Sequence, residues 1–502
     1  MEKIKTGKRF LMIVISSFLG FTLIYLLTYD LLVKKDIFIS HSYKDFLLRY
    51  TSGSRLIIDS GSNSLHGINS NMLEEELGLL TINLADNGGF PLREKLYRIE
   101  KFAHKGDIVL LPLEWLHYSS STNTSNFFLE NLFTELNFYY YEMPAFIKLN
   151  LIIETPFSSV IRAIEKSKKT MSLENIQNEY IRLIDYENRF KQQEKGDYNG
   201  PVFIGLRKED QNISCEDYIF NRHEHPYILS DIFKKNIALV NKLQQKGINI
   251  IFTWPVVTGD DCYPEKDAAV FNAFIDEIKN YLKERNILVV GEPKDSQFKR
   301  EYLLNTYYHV IPAARDMRTK KLIEVIRKSE AITWFKKTTF PKNALTISSE
   351  SLKSTIFNSL LEIKNNQLTR ISKDSNYFFL EKGWYPIESW GVWSNEVESV
   401  FYVKLNNNLL QHDLNLTIEN DLYKTTDKTA VYINDKQLGI YFLEGKSNVV
   451  IPQYLLNNQK NGFIKIQFNH SNVKSPLEYG ESEDSRKIKF GLKTLQFTSI
   501  DN

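Results

Sequence analysis

The feature that most constrains this chain is an uncharged run of 20 residues near its start, Phe10 to Tyr29. At about 1.5 Å per residue, a helix of that length crosses a ~30 Å hydrocarbon layer. Lys3, Lys5, Lys8 and Arg9 precede the run and Lys34 and Lys35 follow it. The positive-inside rule then expects residues 1–9 to form a cytoplasmic tail, 10–29 a transmembrane helix, and everything after a 30–50 juxtamembrane linker to lie outside. A cleaved signal peptide is the competing reading. The apolar stretch is longer than the usual ~7–15-residue signal core, and bulky Tyr25 to Asp30 offers no small-residue cleavage site, so an uncleaved anchor is the expectation. The location expected is a bacterial plasma or inner membrane, single-pass, with the bulk extracytoplasmic.

Composition narrows what the exported part can be. Lys+Arg 63 against Asp+Glu 61 leaves a net charge of +2, without the basic excess a nucleic-acid partner requires. Two cysteines, Cys215 and Cys262, exclude a disulfide scaffold and a multi-cysteine zinc site. Whether the two pair is left open, because spacing does not fix the geometry of a bridge. No ligand-spaced His/Cys cluster and no phosphate-binding Gly-Lys loop occur, so no metal and no cofactor are expected.

Short apolar runs at 56–58, 79–85, 107–115, 248–256 and 287–293 alternate with helical patterns such as 316–328. Nearly continuous apolar strands separated by helices mean a doubly wound α/β sheet, expected over 51–330. A long aromatic and polar insertion, 119–230, interrupts it; its role is open between a lid and passive elaboration. Residues 331–375 read as a linker. From 376 to 502, short alternating runs separated by Asn- and Gly-rich turns read as an antiparallel β-sandwich.

Ligands of an open parallel sheet sit at the carboxyl ends of its strands. The first such end reads Asp59-Ser60-Gly61-Ser62-Asn63-Ser64, the second Asn83 to Gly89 with Gly88-Gly89, and the last region Asn305-Thr306-Tyr307-Tyr308-His309 before Arg315 and Thr319. A serine in a tight turn entering a helix can expose its hydroxyl, and a histidine there can take its proton.

These stretches resemble the SGNH/GDSL hydrolase superfamily, a flavodoxin-like fold, and within it the membrane-anchored proteins of cell-surface polysaccharide O-acetylation. The resemblance implies Ser62 as nucleophile ahead of Ser60, His309 as general base, and Asn305 or Thr306 in the place of the residue that orients it, with Asp295 as a neighbouring candidate. It implies Gly89, Gly88 and Asn63 at the oxyanion hole. Where the family's third block carries an asparagine donor, Gly106 to Trp115 offers Glu114, and an ionised carboxylate only accepts hydrogen bonds. The implied activity is O-acetyl transfer to an extracytoplasmic polysaccharide, served by a membrane-bound O-acyltransferase partner. The alternatives are an esterase, or a catalytically silent glycan-binding scaffold. In the C-terminal part, Trp384, Trp390 and Trp393, with Arg486, form an aromatic and charged set suited to sugar rings, and the pattern resembles carbohydrate-binding modules. Sandwich core is the competing reading of each tryptophan.

Overall fold

The computed structural model describes residues 2–33, 42–120, 125, 128–129, 132–133, 139–140, 143–166, 173–198, 227–258, 268–337, 345–346, 353, 357, 360–372, 375–385, 387–423, 428–456, 462–471, 474–478, 480 and 485–500. The chain divides into two compact units, residues 1–169 with 188–346, and residues 170–187 with 347–502. Cys215 and Cys262 lie outside the described residues, and so does the whole of 199–226.

The first unit opens with α1 (Glu2–Val33), which contains one stretch, Met12–Asp30, long and apolar enough to cross a membrane. After α2 (Tyr43–Tyr50) comes strand β1 (Arg55–Ile58), then α3 (Ser62–Gly67), α4 (Ser70–Leu77), β2 (Leu80–Asn83), α5 (Leu92–Phe102), β3 (Ile108–Pro112) and α6 (Trp115–Ser119). The 119–230 segment contributes α7 (Ala145–Glu154) and α8 (Phe157–Lys166) to this unit, and α9 (Leu173–Lys191), whose residues up to 187 belong to the second unit. Then follow α10 (Asp231–Gln245), β4 (Asn249–Thr253), β5 (Val257–Thr258), α11 (Ala268–Lys283), β6 (Leu288–Val289), β7 (Gln297–Phe298), α12 (Pro312–Lys328) and α13 (Ile332–Lys337).

Five strands form one parallel sheet in the order β2-β1-β3-β4-β6, and β5 pairs with β7 apart from it. The expected strand runs therefore fold as a parallel α/β sheet, with β2, β3, β4 and β6 shorter than their apolar runs and β1 one residue longer. Side chains alternate faces along a strand. Leu56, Ile58, Leu110 and Ile251 join Leu73 and Leu77 of α4 and Leu322, Ile323 and Ile326 of α12 in one core. Phe252, on the opposite face, meets Phe233 of α10. Helices thus cover both faces, as continuous apolar strands require. Arg55 and Asp107, both fully buried, pair at 2.7 Å and tie β1 to β3.

The second unit is a β-sandwich. Its strands are β8 (Glu362–Ile363), β9 (Leu368–Arg370), β10 (Phe378–Lys382), β11 (Val392–Trp393), β12 (Glu398–Leu405), β13 (Asp413–Leu422), β14 (Thr429–Ile433), β15 (Lys436–Tyr441), β16 (Gly445–Ile451), β17 (Phe463–Asn469) and β18 (Phe490–Ile500). One sheet runs β10-β12-β17-β14-β15 with β8 beside β12, the other β11-β18-β13-β16 with β9 beside β18. Alternate residues of both sheets, such as Phe401, Val403, Leu416, Ile418, Ile466 and Leu495, form its core. The stretch 331–375, read as a linker, instead carries α13 and the edge strands β8 and β9. Their runs are two or three residues long, too short to show a period.

Candidate active site

The carboxyl ends of β1, β2 and β3 converge on α3. Ser60 is fully buried: its hydroxyl donates to Pro112 O at 2.6 Å and accepts from Asn63 Nδ2 at 2.9 Å. Two partners lock that oxygen, which removes Ser60 as a nucleophile. Ser62, the first residue of α3, is half-exposed, and its hydroxyl makes no hydrogen bond among the described residues. One helical turn on, at the i+4 position of the same face, sits His66.

His309 arrives from the loop before α12. Leu303 and Val310 bridge antiparallel, and Leu304 N–H donates to His309 O at 2.8 Å. This tight hairpin folds Asn305 back on His309, so that Asn305 Oδ1 lies 2.8 Å from His309 Nδ1. An amide oxygen only accepts, so Nδ1 carries the proton and Nε2 is left as a proton acceptor. The His309 ring stacks on His66 at 4.0 Å, and His66 in turn packs on Tyr198 at 4.3 Å. The structure thereby brings His309 onto the ring of the residue that shares a helix face with Ser62. Burial pushes His309 down to about 4. Burial first, then the charges of His309, Lys44 and Arg315, pushes His66 down to about 3. Both rings are neutral at pH 7.

Asp295 takes no part in orienting His309: it accepts from Glu292 N–H at 2.8 Å and pairs with Lys321 at 3.5 Å. Thr319 is structural, accepting from Asn69 N–H at 3.0 Å and donating to Arg315 O at 2.8 Å.

The implied oxyanion donors are largely engaged. Gly89 N–H donates to Asn87 Oδ1 at 2.7 Å. Asn63 N–H donates to Glu114 Oε1 at 3.0 Å, and its amide nitrogen serves Ser60 and Pro112 O. The Glu114 carboxyl, from the end of β3, is buried against Gly61 and Gly88. A Cβ added at Gly61 would meet Glu114 Oε2 at 2.3 Å, and one at Gly88 would meet it at 1.7 Å. Glycine is needed at both positions because a carboxyl group fills the space. Burial raises the Glu114 pKa, opposed by its hydrogen bonds from Asn63 and by Lys95.

Two buried ionic devices hold this arrangement. Arg318 of α12 donates to Asn63 O at 2.9 Å, to Asn63 Oδ1 at 3.0 Å and to Trp254 O at 2.9 Å, and fixes the start of α3. Beneath the β1 turn, Asp59 pairs with Lys95 at 3.3 Å and with Arg98 at 3.1 Å. Lys95 also contacts Asp86, which accepts from Tyr139 at 2.8 Å. Sequence reasoning missed His66 and Arg318. The four-residue spacing from Ser62 could have signalled His66; Arg318 is one of several cations on its helix and stands out only once folded. No group of His, Cys, Asp and Glu able to hold a metal occurs among the described residues.

In the sandwich unit the tryptophans separate. Trp384 is 8% exposed, its indole N–H donates to Val400 O at 2.9 Å, and its ring packs on Phe401 and Phe490. It is core, and its ring is not offered to a sugar. Trp390 and Trp393 are half-buried, edge to face at 5.0 Å, over Gly491, where a Cβ would meet both rings at 2.8 Å. Glu388 accepts from Trp390 Nε1 at 2.9 Å and from Arg486 at 2.8 Å. The result is a surface of two indoles rimmed by an acid and a guanidinium.

No protein-family model matches the sequence, and comparison with curated proteins finds no match. Among solved structures, the chain is similar to an acetyl xylan esterase from the rumen bacterium Butyrivibrio proteoclasticus, at 14% identity and TM-score 0.18, over 27% of this chain and 34% of that one. The match thus spans about a third of the esterase. It is also similar to CBM35 from Paenibacillus barcinonensis, at 10% identity and TM-score 0.18, over 27% of this chain and 99% of the module. A Bacteroides fragilis protein described as an acylhydrolase matches at 10% identity and TM-score 0.22, over 56% of this chain and 86% of its own.

Proposed function

We propose that this chain is a membrane-anchored extracytoplasmic protein of a bacterial envelope that transfers an acyl group, most simply acetyl, to a cell-surface polysaccharide through Ser62. The observation that supports it is the His309–Asn305 pair, which leaves a neutral imidazole with an open Nε2 beside the helix that carries an unbonded Ser62 hydroxyl. In the first half-reaction, Ser62 Oγ attacks the donor's acyl carbonyl while His309 Nε2 takes the hydroxyl proton. The tetrahedral intermediate collapses, the leaving oxygen takes that proton, and an acyl-serine remains. In the second half, a sugar hydroxyl gives its proton to His309, attacks the acyl-serine and leaves as the new ester, and Ser62 regains its proton. Water in place of the sugar makes the same site an esterase. Trp390, Trp393 and Arg486 would hold the glycan, and a membrane-bound O-acyltransferase partner would supply the acyl group.

The test is intact-mass analysis of the purified chain after incubation with acetyl-p-nitrophenol. An acetyl adduct on wild type that is absent from Ser62→Ala supports the reading; an adduct on both proteins, or on neither, sinks it.

One observation favours a second reading, the silent glycan-binding scaffold. The Glu114 carboxyl fills the space between Gly61 and Gly88 and takes the Asn63 N–H, where a developing oxyanion would need donors. On that reading Ser62→Ala leaves polysaccharide acylation unchanged, and loss of the half-buried indoles of Trp390 and Trp393 weakens glycan binding.

A further inference from the structure

Among the described residues, the first unit carries an apolar surface that its own fold leaves exposed. On α7, Phe146, Leu149 and Ile153 fall at spacings of three and four residues and are 60%, 45% and 73% exposed. On α8, Phe157 and Ile161, four residues apart, are 63% and 40% exposed. Such spacing makes one stripe per helix. Charged Glu154 and Arg162 are exposed beside the stripe, so the two helices have the amphipathic make-up of segments that lie in a membrane interface. Exposed apolar patches of this kind mark interaction surfaces.

What covers the stripe is set by its neighbour. The side chains of α1 from Met12 to Leu27 are largely exposed and apolar, while Tyr29 and Leu32 are buried. They are buried by this same segment, in a cluster with Tyr140, Met143, Ile147, Leu151, Ile152 and Val160. Thr155, between α7 and α8, donates to Leu151 O at 2.6 Å and so accepts from the Tyr29 hydroxyl at 3.0 Å. Phe157 packs on Tyr25 at 6.2 Å. Tyr25 stands five residues before Asp30, about 7.5 Å of helix rise inside the charged end of the span. That depth matches the roughly 5–10 Å to which interfacial helices sink.

We propose that α7 and α8 are embedded in the outer leaflet of the bilayer that α1 spans, with Phe146, Leu149, Ile153, Phe157 and Ile161 among the acyl chains. The same cluster includes Phe90 and Tyr97, and Tyr97 lies on the helix that presents Lys95 and Arg98 to Asp59. Insertion therefore fixes the attitude of the Ser62 site to the membrane surface, which a single anchor joined by a linker does not do. The inference rests on the reading of α1 as a span and is independent of any acyl chemistry.

The test uses the full chain with Cys215→Ser and Cys262→Ser, reconstituted in phosphatidylcholine–phosphatidylglycerol bilayers containing no other protein. An environment-sensitive fluorophore is placed singly through Phe21→Cys, Ile153→Cys or Lys235→Cys, the last at an exposed position on α10. Lipids brominated along the acyl chain should quench positions 21 and 153 several-fold more than 235, and aqueous iodide should do the reverse. If 153 behaves as 235 does while 21 is in lipid, the proposal is overturned; that is the result expected were the stripe reserved for a protein partner. If 21 is also in water, the span reading fails and the proposal fails with it.

Discussion

Replacing Gly88 with alanine tests whether the Glu114 carboxyl truly fills the cradle at the strand ends. The backbone at Gly88 lies outside the left-handed region, so alanine adds no conformational penalty there and the effect isolates the contact. The new methyl would stand 1.7 Å from Glu114 Oε2 and 2.8 Å from its Cδ. The carboxyl is confined between the Gly61 and Gly88 backbones, since a Cβ added on Gly61 would likewise meet it at 2.3–2.5 Å. It must leave, forfeiting the hydrogen bond from Asn63 N–H and leaving that buried donor without a partner. A hydrogen bond contributes about 0.5–1.5 kcal/mol net, or about 1.5–3 kcal/mol where Glu114 is ionised, and a stranded buried donor costs about 1–3 kcal/mol. The two overlap, so Gly88→Ala should cost roughly 3 kcal/mol of first-unit stability. The assay is hydrogen exchange of the β1 and β3 amides with and without denaturant, run as a double-mutant cycle with Glu114→Ala. Once Glu114 is truncated the methyl has room, and Gly88→Ala should then cost under about 1 kcal/mol, a coupling of about 2 kcal/mol. Equal costs in both backgrounds would refute the account of the cradle.

Asn305→Asp sets a carboxylate beside His309 Nδ1 and favours the imidazolium, so the acid limb of kcat/KM for ester turnover should rise by ~1 pH unit or more from near 4, while Asn305→Ala should lower kcat by about 10- to 100-fold without that shift. His66 and His309 titrate lower in the folded chain (about 3 and about 4) than at their ordinary 6.5; the unfolded chain binds more protons between those values, so stability is full above pH 6.5 and lost as pH falls toward 4, a slope in denaturation midpoint that His66→Gln should reduce. In the sandwich, Trp384→Ala should cost about 3–5 kcal/mol by calorimetry as a core deletion, whereas Trp393→Ala should leave the midpoint within about 1 kcal/mol and weaken glycan binding roughly tenfold by titration.

The sheet was legible because parallel strands covered on both faces must be apolar throughout, and five such runs sit between helical patterns. The long apolar helix α1 was legible for a similar reason, since an uncharged run of 20 residues stands out against any local background. The Asn305–His309 contact was also within reach of the sequence, because four residues is the span of a tight hairpin. Glu114 was visible only as a missing donor. That its carboxyl fits between Gly61 and Gly88 depends on three strand ends meeting, a long-range fact no local pattern carries. Trp384 and Trp393 look equivalent in sequence; register decides between them, since Trp384 faces Phe401 and Phe490 while Trp393 on β11 lies over Gly491. The two edge strands β8 and β9 escaped because two or three residues show no alternation, and their pairing is set by the strands they join.

The Glu114 cradle also bears on which of the two functional readings holds. An oxyanion hole works because its donors are fixed and unoccupied before the substrate arrives. Here the Asn63 N–H is already satisfied by a carboxyl oxygen, and a negative Glu114 would repel the charge that develops on an acyl carbonyl. Burial, however, raises the Glu114 pKa, and a neutral carboxylic acid has a hydroxyl to donate. Lys95 opposes that neutralisation and Asp86 favours it; the buried Arg318 and Tyr308 also feel the Glu114 charge. The decisive variable is therefore the proton on Glu114, not the presence of Ser62 and His309. With the proton, the same glycine-lined space holds a donor and the acyl-transfer reading stands. Without it, the space holds a fixed negative charge and the site is suited to architecture. Glu114→Gln keeps the shape and supplies a donor at every pH, so it should retain or raise acyl-serine formation in an enzyme and change nothing but stability in a scaffold.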